Sequence, residues 1–110
     1  MVLDWLSPEG LIAARMPDFE VRAPQRAFAE AVDAQLRAGG HLAIEAGTGV
    51  GKTFAYLLPA LAQITQHQRR VVISTHTIAL QEQLIQKDIP FLREALGLNF
   101  KAELVKGRQN

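Results

Sequence analysis

The run Ala46-Gly47-Thr48-Gly49-Val50-Gly51-Lys52-Thr53 holds together the groups that a polyphosphate needs. It fits the phosphate-loop pattern G/A-x-x-x-x-G-K-S/T, with alanine at the first position. Successive backbone N–H groups of a tight loop converge on anionic oxygens, and glycines let that backbone come close. The ammonium of Lys52 can lie between the β- and γ-phosphates, and the Thr53 hydroxyl can ligate a magnesium ion. A helix that begins here points the positive end of its dipole at the same anion. The chemistry implied is the grip and polarisation of a nucleoside triphosphate with its metal. A glycine-rich turn with an incidental lysine would show the same letters, so the flanking elements decide between them.

Those flanks read as strand, loop and helix. Residues 41–45, apolar at Leu42, Ala43 and Ile44, read as a short buried strand, and Phe54-Ala55-Tyr56-Leu57-Leu58 belongs to a helix from about Gly51 to His67, which Pro59 kinks or shortens. Upstream, Ser7 and Pro8 open a helix to about Arg15, and residues 16–21 are a loop. Arg22-Ala23-Pro24-Gln25 opens a longer helix with Phe28, Ala31, Val32 and Leu36 on one face, ended by Gly39-Gly40. Downstream, residues 70–74 read as the second strand, with Val71, Val72 and Ile73 β-branched and apolar as in a strand covered on both faces. Thr75-His76-Thr77 leads into a helix through about Lys87, Asp88 caps a restart that ends before Gly97, and residues 100–105 are a third strand. Strands alternating with helices predict an α/β fold, a parallel sheet of about three strands with flanking helices.

Two further stretches carry chemistry. Gln25 stands at a helix entry beside Arg22, and its amide offers the donor and acceptor that match the N6 and N7 edge of adenine. A glutamine there is equally an ordinary solvated helix residue. In Val72-Ile73-Ser74-Thr75-His76-Thr77-Ile78-Ala79-Leu80-Gln81-Glu82-Gln83-Leu84, hydroxyl residues fall between a predicted strand end and a helix start. Free N–H groups and hydroxyls at that edge could hold a phosphodiester backbone without reading bases. N-capping by Thr75 or Thr77 accounts for the same residues.

A chain of 110 residues is at most one domain, and its 48% apolar and 21% charged residues suit a soluble globular protein. The formal net charge of +1 neither requires nor excludes a nucleic-acid partner. Without cysteine the chain has no disulfide and no thiolate metal site, and His41, His67 and His76 are too scattered to form a metal centre. The first residues lack the basic and apolar regions of a secretory leader. The longest apolar run, residues 54–62, is interrupted by Pro59 and too short to span a bilayer. The cytoplasm is the expected compartment and no membrane partner is expected. The last residues read as a strand running into a loop, so a fragment of a longer protein is expected.

Taken in order, Arg22-x-x-Gln25, Glu45 through Thr53, Ser74 through Leu84, Lys87-Asp88-Ile89-Pro90-Phe91-Leu92 and Lys106-Gly107-Arg108 resemble the amino-terminal part of the DinG-type helicases. These are bacterial relatives of the XPD helicase in superfamily two. The resemblance runs from about Leu6 onward. It implies a partial RecA-like motor domain of the phosphate-loop NTPase class, with residues 1–21 as lead-in and residues 22–110 as the first part of motor domain one. It implies ATP hydrolysis coupled to translocation on single-stranded or forked DNA and to duplex unwinding, in repair or replication. Gln25 would contact adenine with Arg22 nearby, and Ala46, Gly47, Thr48, Gly49, Val50, Gly51, Lys52 and Thr53 would hold the phosphates. Lys52 and Thr53 would take part in catalysis, Thr53 on magnesium. Thr75, His76 and Thr77 would meet DNA, with Gln81 on the helix behind. Many members of the family carry a four-cysteine iron–sulfur cluster soon after the Lys-Gly-Arg segment.

Two departures stand out. Val50 replaces a threonine common in the family, at a position that contributes mainly a backbone N–H. No acidic motif for magnesium and water follows the phosphate loop: Asp4, Asp18, Asp33 and Asp88 do not follow an apolar strand, and Glu103 lies inside one. The 110 residues are therefore expected to bind ATP without turning it over. An RNA helicase, another phosphate-loop ATPase or an inactive nucleotide-binding remnant would share the first motifs.

Overall fold

The computed structural model describes residues 2–47 and 51–106, which fall in two compact units, Met1–Val71 and Val72–Asn110. Regular structure among the described residues is helical throughout.

In the first unit, short helices α1 (Val2–Trp5) and α2 (Leu11–Arg15) precede two long ones, α3 (Ala23–Ala38) and α4 (Lys52–His67). Helix α1 packs on both α3 and α4, and α3 packs along α4. The core forms where the sequence is apolar all round: Leu57, Leu58, Pro59, Ala60, Leu61 and Ala62 of α4 are all buried, with Trp5, Leu6, Ile12 and Ala29 from the other elements. Each fully buried leucine contributes about 1.5–3 kcal/mol relative to exposure. That burial carries α4 through Pro59, which removes one hydrogen bond but neither ends nor shortens the helix.

Ser7 does not open a helix. Its hydroxyl donates to the Asp4 carbonyl at 2.9 Å and closes α1, while the cap of α2 is Gly10. A side chain at Gly10 would collide with the Asp4 and Trp5 carbonyls, so this turn is reserved for glycine. Helix α3 has the expected bounds, with Pro24 in its first turn and Gly39 at its end. Its most buried line is Gln25 and Ala29, whereas Ala31 is exposed. Phe28, Val32 and Leu36 line a cavity of about 410 Å³ together with Leu42, Ile44 and Tyr56.

In the second unit the chain is helical from Ile78 to Leu96 in three pieces: α5 (Ile78–Gln83), a π-helical turn (Leu84–Asp88) and α6 (Ile89–Leu96). The expected break at Asp88 is absent. Asp88 has helical dihedrals and makes no cap, and the Ile89 N–H reaches back five residues to the Leu84 carbonyl. Pro90 explains the widened turn. Its ring would clash with a carbonyl four residues back in a regular α-helix, and an extra residue in the preceding turn makes room. Gly97, at φ 64°, ends α6, and the Arg93 guanidinium lies 4.7 Å from the centre of the Phe100 ring.

The expected parallel sheet is corrected by the structure. Among the described residues there is no strand, and residues 41–47, 68–77 and 98–106 carry neither helix nor strand. The fold is helical and not α/β. A helix satisfies its backbone within its own segment, whereas every strand hydrogen bond belongs to a neighbour. A β-branched run therefore supplies a preference and not a pairing. Val72 is 92% exposed and Val105 84% exposed, the opposite of strands covered on both faces. Leu42 and Ile44 turn toward the α3–α4 groove instead.

Candidate nucleotide site

Helix α4 begins one residue after Gly51, which lies in the left-handed region at φ 78° and ψ 47°. Gly51 has no side chain, so the first N–H groups of this sixteen-residue helix receive no cap from it. Lys52, the first helical residue, is exposed, and Thr53 behind it is half-buried. On the other side of the loop, Ala46 is half-buried and Gly47 exposed. Thr48, Gly49 and Val50 lie outside the described residues, as do Gly107 and Arg108 of the Lys-Gly-Arg segment.

Gln25 is the residue that the fold brings to this loop. It is only 5% exposed, and its Nε2 donates to the Gly51 carbonyl at 3.0 Å. The solvated alternative for Gln25 is thereby removed. The positive φ of Gly51 favours glycine at this position, and a side chain there would have to displace the Gln25 amide from the Gly51 carbonyl. Nothing in the local sequence pattern signals a contact between residues this far apart. Arg22 holds the cap position of α3, and its guanidinium lies 4.0 Å from the Glu20 carboxylate. One helical turn on, Arg26 donates to the Leu3 carbonyl at 3.3 Å, tying α3 to α1.

In the second unit, Thr77 caps α5 by accepting the Leu80 N–H on its hydroxyl at 3.2 Å. The Thr75 hydroxyl donates to the Thr77 carbonyl at 3.4 Å. His76 between them is exposed. Gln81, one turn into α5, carries a buried Oε1 without a hydrogen-bond partner. Beside it Glu82 pairs with Lys106 at 3.3 Å, a link between α5 and the Lys-Gly-Arg segment that only the opposite charges foreshadow.

The donor set fits magnesium in one respect. Mg2+ takes few protein ligands and keeps waters and phosphate oxygens, and Thr53 is one hydroxyl at the helix start that could serve. Among the described residues no group of three or more His, Cys, Asp or Glu gathers to hold a metal alone. An iron–sulfur cluster does not fit these residues, because the chain contains no cysteine. No helix among the described residues is long and apolar enough to cross a membrane.

The profile of the DEAD/DEAH box helicase family matches residues 24–110. The chain belongs to that family. Among its relatives, the ATP-dependent DNA helicase YoaA of Escherichia coli K12 is 44% identical over 107 residues, covering 97% of this chain and 16% of the relative. The ATP-dependent DNA helicases DinG of Salmonella typhimurium LT2 and of Escherichia coli K12 are 46% and 45% identical over 97 residues. Those matches cover 86% of this chain and 14% of either relative. The chain thus spans about one-sixth or less of the length of the curated relatives it matches. The helicase-family match begins at Pro24, so it takes in Gln25, the phosphate loop and the Thr75–Thr77 segment together.

Proposed function

We propose that these residues are the amino-terminal ATP-binding portion of an ATP-dependent DNA helicase. Residues 1–21 are a lead-in and residues 22–110 the first part of a motor domain that couples ATP hydrolysis to movement on single-stranded DNA and to unwinding. The observation that carries the reading is the start of α4, where left-handed Gly51 stands directly before Lys52 and Thr53 in a family-matched segment. The reading is supported by the identity to DinG and YoaA helicases over most of this chain.

In this reading Lys52 brings a positive charge to the phosphates, Thr53 offers its hydroxyl to magnesium, and the dipole of α4 adds to both. Magnesium, when bound, neutralises phosphate charge. Gln25 and Arg22 serve the base end, and residues 46–53 wrap the phosphates. On the DNA side, Thr77 accepts from Leu80 and so keeps its hydroxyl proton for a phosphodiester oxygen, while exposed His76 is a second donor. Thr75 spends its proton on the Thr77 carbonyl, and Gln81 stands behind. The acidic group that orients water is missing from the set, so the 110 residues bind ATP without hydrolysing it. The compartment is the cytoplasm, and an iron–sulfur cluster would need cysteines outside these residues.

The test is a titration of magnesium-ATP and labelled single-stranded DNA into the 110-residue chain, with phosphate release measured in parallel. The expected result is saturable binding of both ligands and phosphate release at background. Failure to bind ATP contradicts the nucleotide site, failure to bind DNA contradicts the DNA contacts proposed for Thr77 and His76, and steady DNA-stimulated turnover contradicts the inactivity of these residues alone.

A further inference from the structure

Lys106 opens the Lys-Gly-Arg segment and belongs neither to the phosphate loop nor to the Thr75–Thr77 stretch. The fold nevertheless brings it to the helix that this stretch enters. Residues 98–106 are pinned at both ends. At one end the Leu98 N–H donates to the Arg93 carbonyl at 3.1 Å, and the Arg93 guanidinium covers the Phe100 ring at 4.7 Å. At the other the Lys106 ammonium lies 3.3 Å from the Glu82 carboxylate on α5. The chain from Phe100 to Lys106 reaches about 20 Å at most, and the helical run from Arg93 back to Glu82 is about 16 Å long. These lengths match a segment that runs back along the helices. Glu82, where it arrives, stands about 7–8 Å along the helix from Thr77.

The ion pair is a weak brace. Its side chains are 34% exposed at Lys106 and 44% at Glu82, and an exposed pair of this kind adds little to stability. The ammonium, by contrast, carries a full charge and three N–H donors. Among the described residues Glu82 is its one hydrogen-bonding partner, which leaves donors for an anion. On the same helix, Thr77 keeps its hydroxyl proton and His76 is exposed. Hydroxyl, imidazole and ammonium can all donate to phosphodiester oxygens, and none of them needs a base edge to do so.

We propose that Lys106 is a further phosphodiester contact on the DNA path, its ammonium held beside α5 by Glu82 and shared with a single strand that also meets Thr77 and His76. This rests on the DNA-binding reading above. It adds to the uncharged Thr77 hydroxyl a full positive charge, so the contact is read in salt dependence and not in base preference.

The experiment titrates labelled single-stranded DNA of mixed sequence into the wild-type chain, Lys106→Ala and Glu82→Gln over a series of salt concentrations. Both substitutions break the same ion pair, and only the first removes a cation. Each phosphate neutralised on a single strand contributes about 0.7 to the slope of log affinity against log salt. Lys106→Ala is therefore expected to lower that slope by about 0.7 and to weaken binding several-fold at about 50 mM salt. Glu82→Gln is expected to keep the wild-type slope and to bind at least as tightly. A second measurement needs no variant: DNA is expected to slow chemical acetylation of the Lys106 amine in the wild type, read by mass spectrometry.

If Lys106→Ala keeps the wild-type slope, or Glu82→Gln loses as much slope as Lys106→Ala, the proposal is overturned and Lys106 only braces its segment against α5. Acetylation of Lys106 that is unchanged at saturating DNA overturns it as well. In each of these cases binding by the wild type leaves the DNA reading in place. If the wild type binds no DNA at any salt concentration, the contacts of Thr77 and His76 fall together with that of Lys106. Should a variant fail to fold, the wild-type acetylation decides.

Discussion

Helix α4 opens on Gly51, which has no side chain to cap it, and helix α5 opens on Thr77, whose hydroxyl accepts the Leu80 N–H. Every helix start presents N–H groups with no partner in the helix. At α5 the chain satisfies one of them from its own side chain. At α4 it places a glycine in a left-handed conformation, a buried glutamine on that glycine's carbonyl, and an exposed lysine directly after. In the proposed reading, the difference separates a helix end built for stability from one kept open to an anion. The body of α4, buried from Leu57 through Gln63, supplies the stability that its first turn does not.

Removing that support should have the largest effect. Leu58 is fully buried, and Leu58→Ala is expected to cost about 2–5 kcal/mol, read from the thermal or urea midpoint. A melt unchanged by this substitution would break the division of labour within α4. Next comes the open end. Lys52 is exposed, so Lys52→Ala should leave the midpoint in place while ATP affinity falls about ten- to a hundredfold, the worth of a hydrogen bond to a charged group. The capped end should behave in reverse: Thr77→Ala is expected to cost about 1 kcal/mol of stability and leave ATP affinity unchanged.

The two helix starts also show what the sequence disclosed and what it hid. Helices α3 and α4 were legible because their signals are local: Pro24 and Gly39 bracket one, and the glycine loop and apolar run mark the other. The phosphate-loop letters and the helicase family were legible for the same reason, as a contiguous pattern. The sheet was not. Residues 70–74 have the composition of a covered strand, yet strand pairing is a property of neighbours and no strand forms among the described residues. Gln25 was hidden differently. Its residue type suggested a base contact, but its bond to Gly51 depends on how α3 packs along α4. Ser7 and Asp88 both looked like helix caps. The turn at Gly10 turned the Ser7 hydroxyl back to α1, and the π-turn before Pro90 carried the helix through Asp88.

The smallest expected effect is a pH dependence at Asp88. Burial, the largest influence, raises its carboxyl above the usual 3.8, against the Gln83 hydrogen bond and the Lys87 charge, which lower it. The folded chain therefore holds this proton more tightly than the unfolded chain. Its stabilising contribution is complete below about pH 3.8 and fades as pH rises through the folded value. Asp88→Asn is expected to melt slightly above the wild type at neutral pH, with the gap closing in acid. A gap that widens in acid would contradict the sign.

Amide hydrogen exchange, with and without magnesium-ATP, tests the contrast between the two helix starts most directly. The expected result is slower exchange at the Lys52, Thr53 and Phe54 N–H groups on adding ATP, and no change at the Leu80 N–H, which is already held by Thr77. Protection that appears at Leu80 alone, or at neither helix start, would contradict the assignment of α4 as the end that receives the nucleotide.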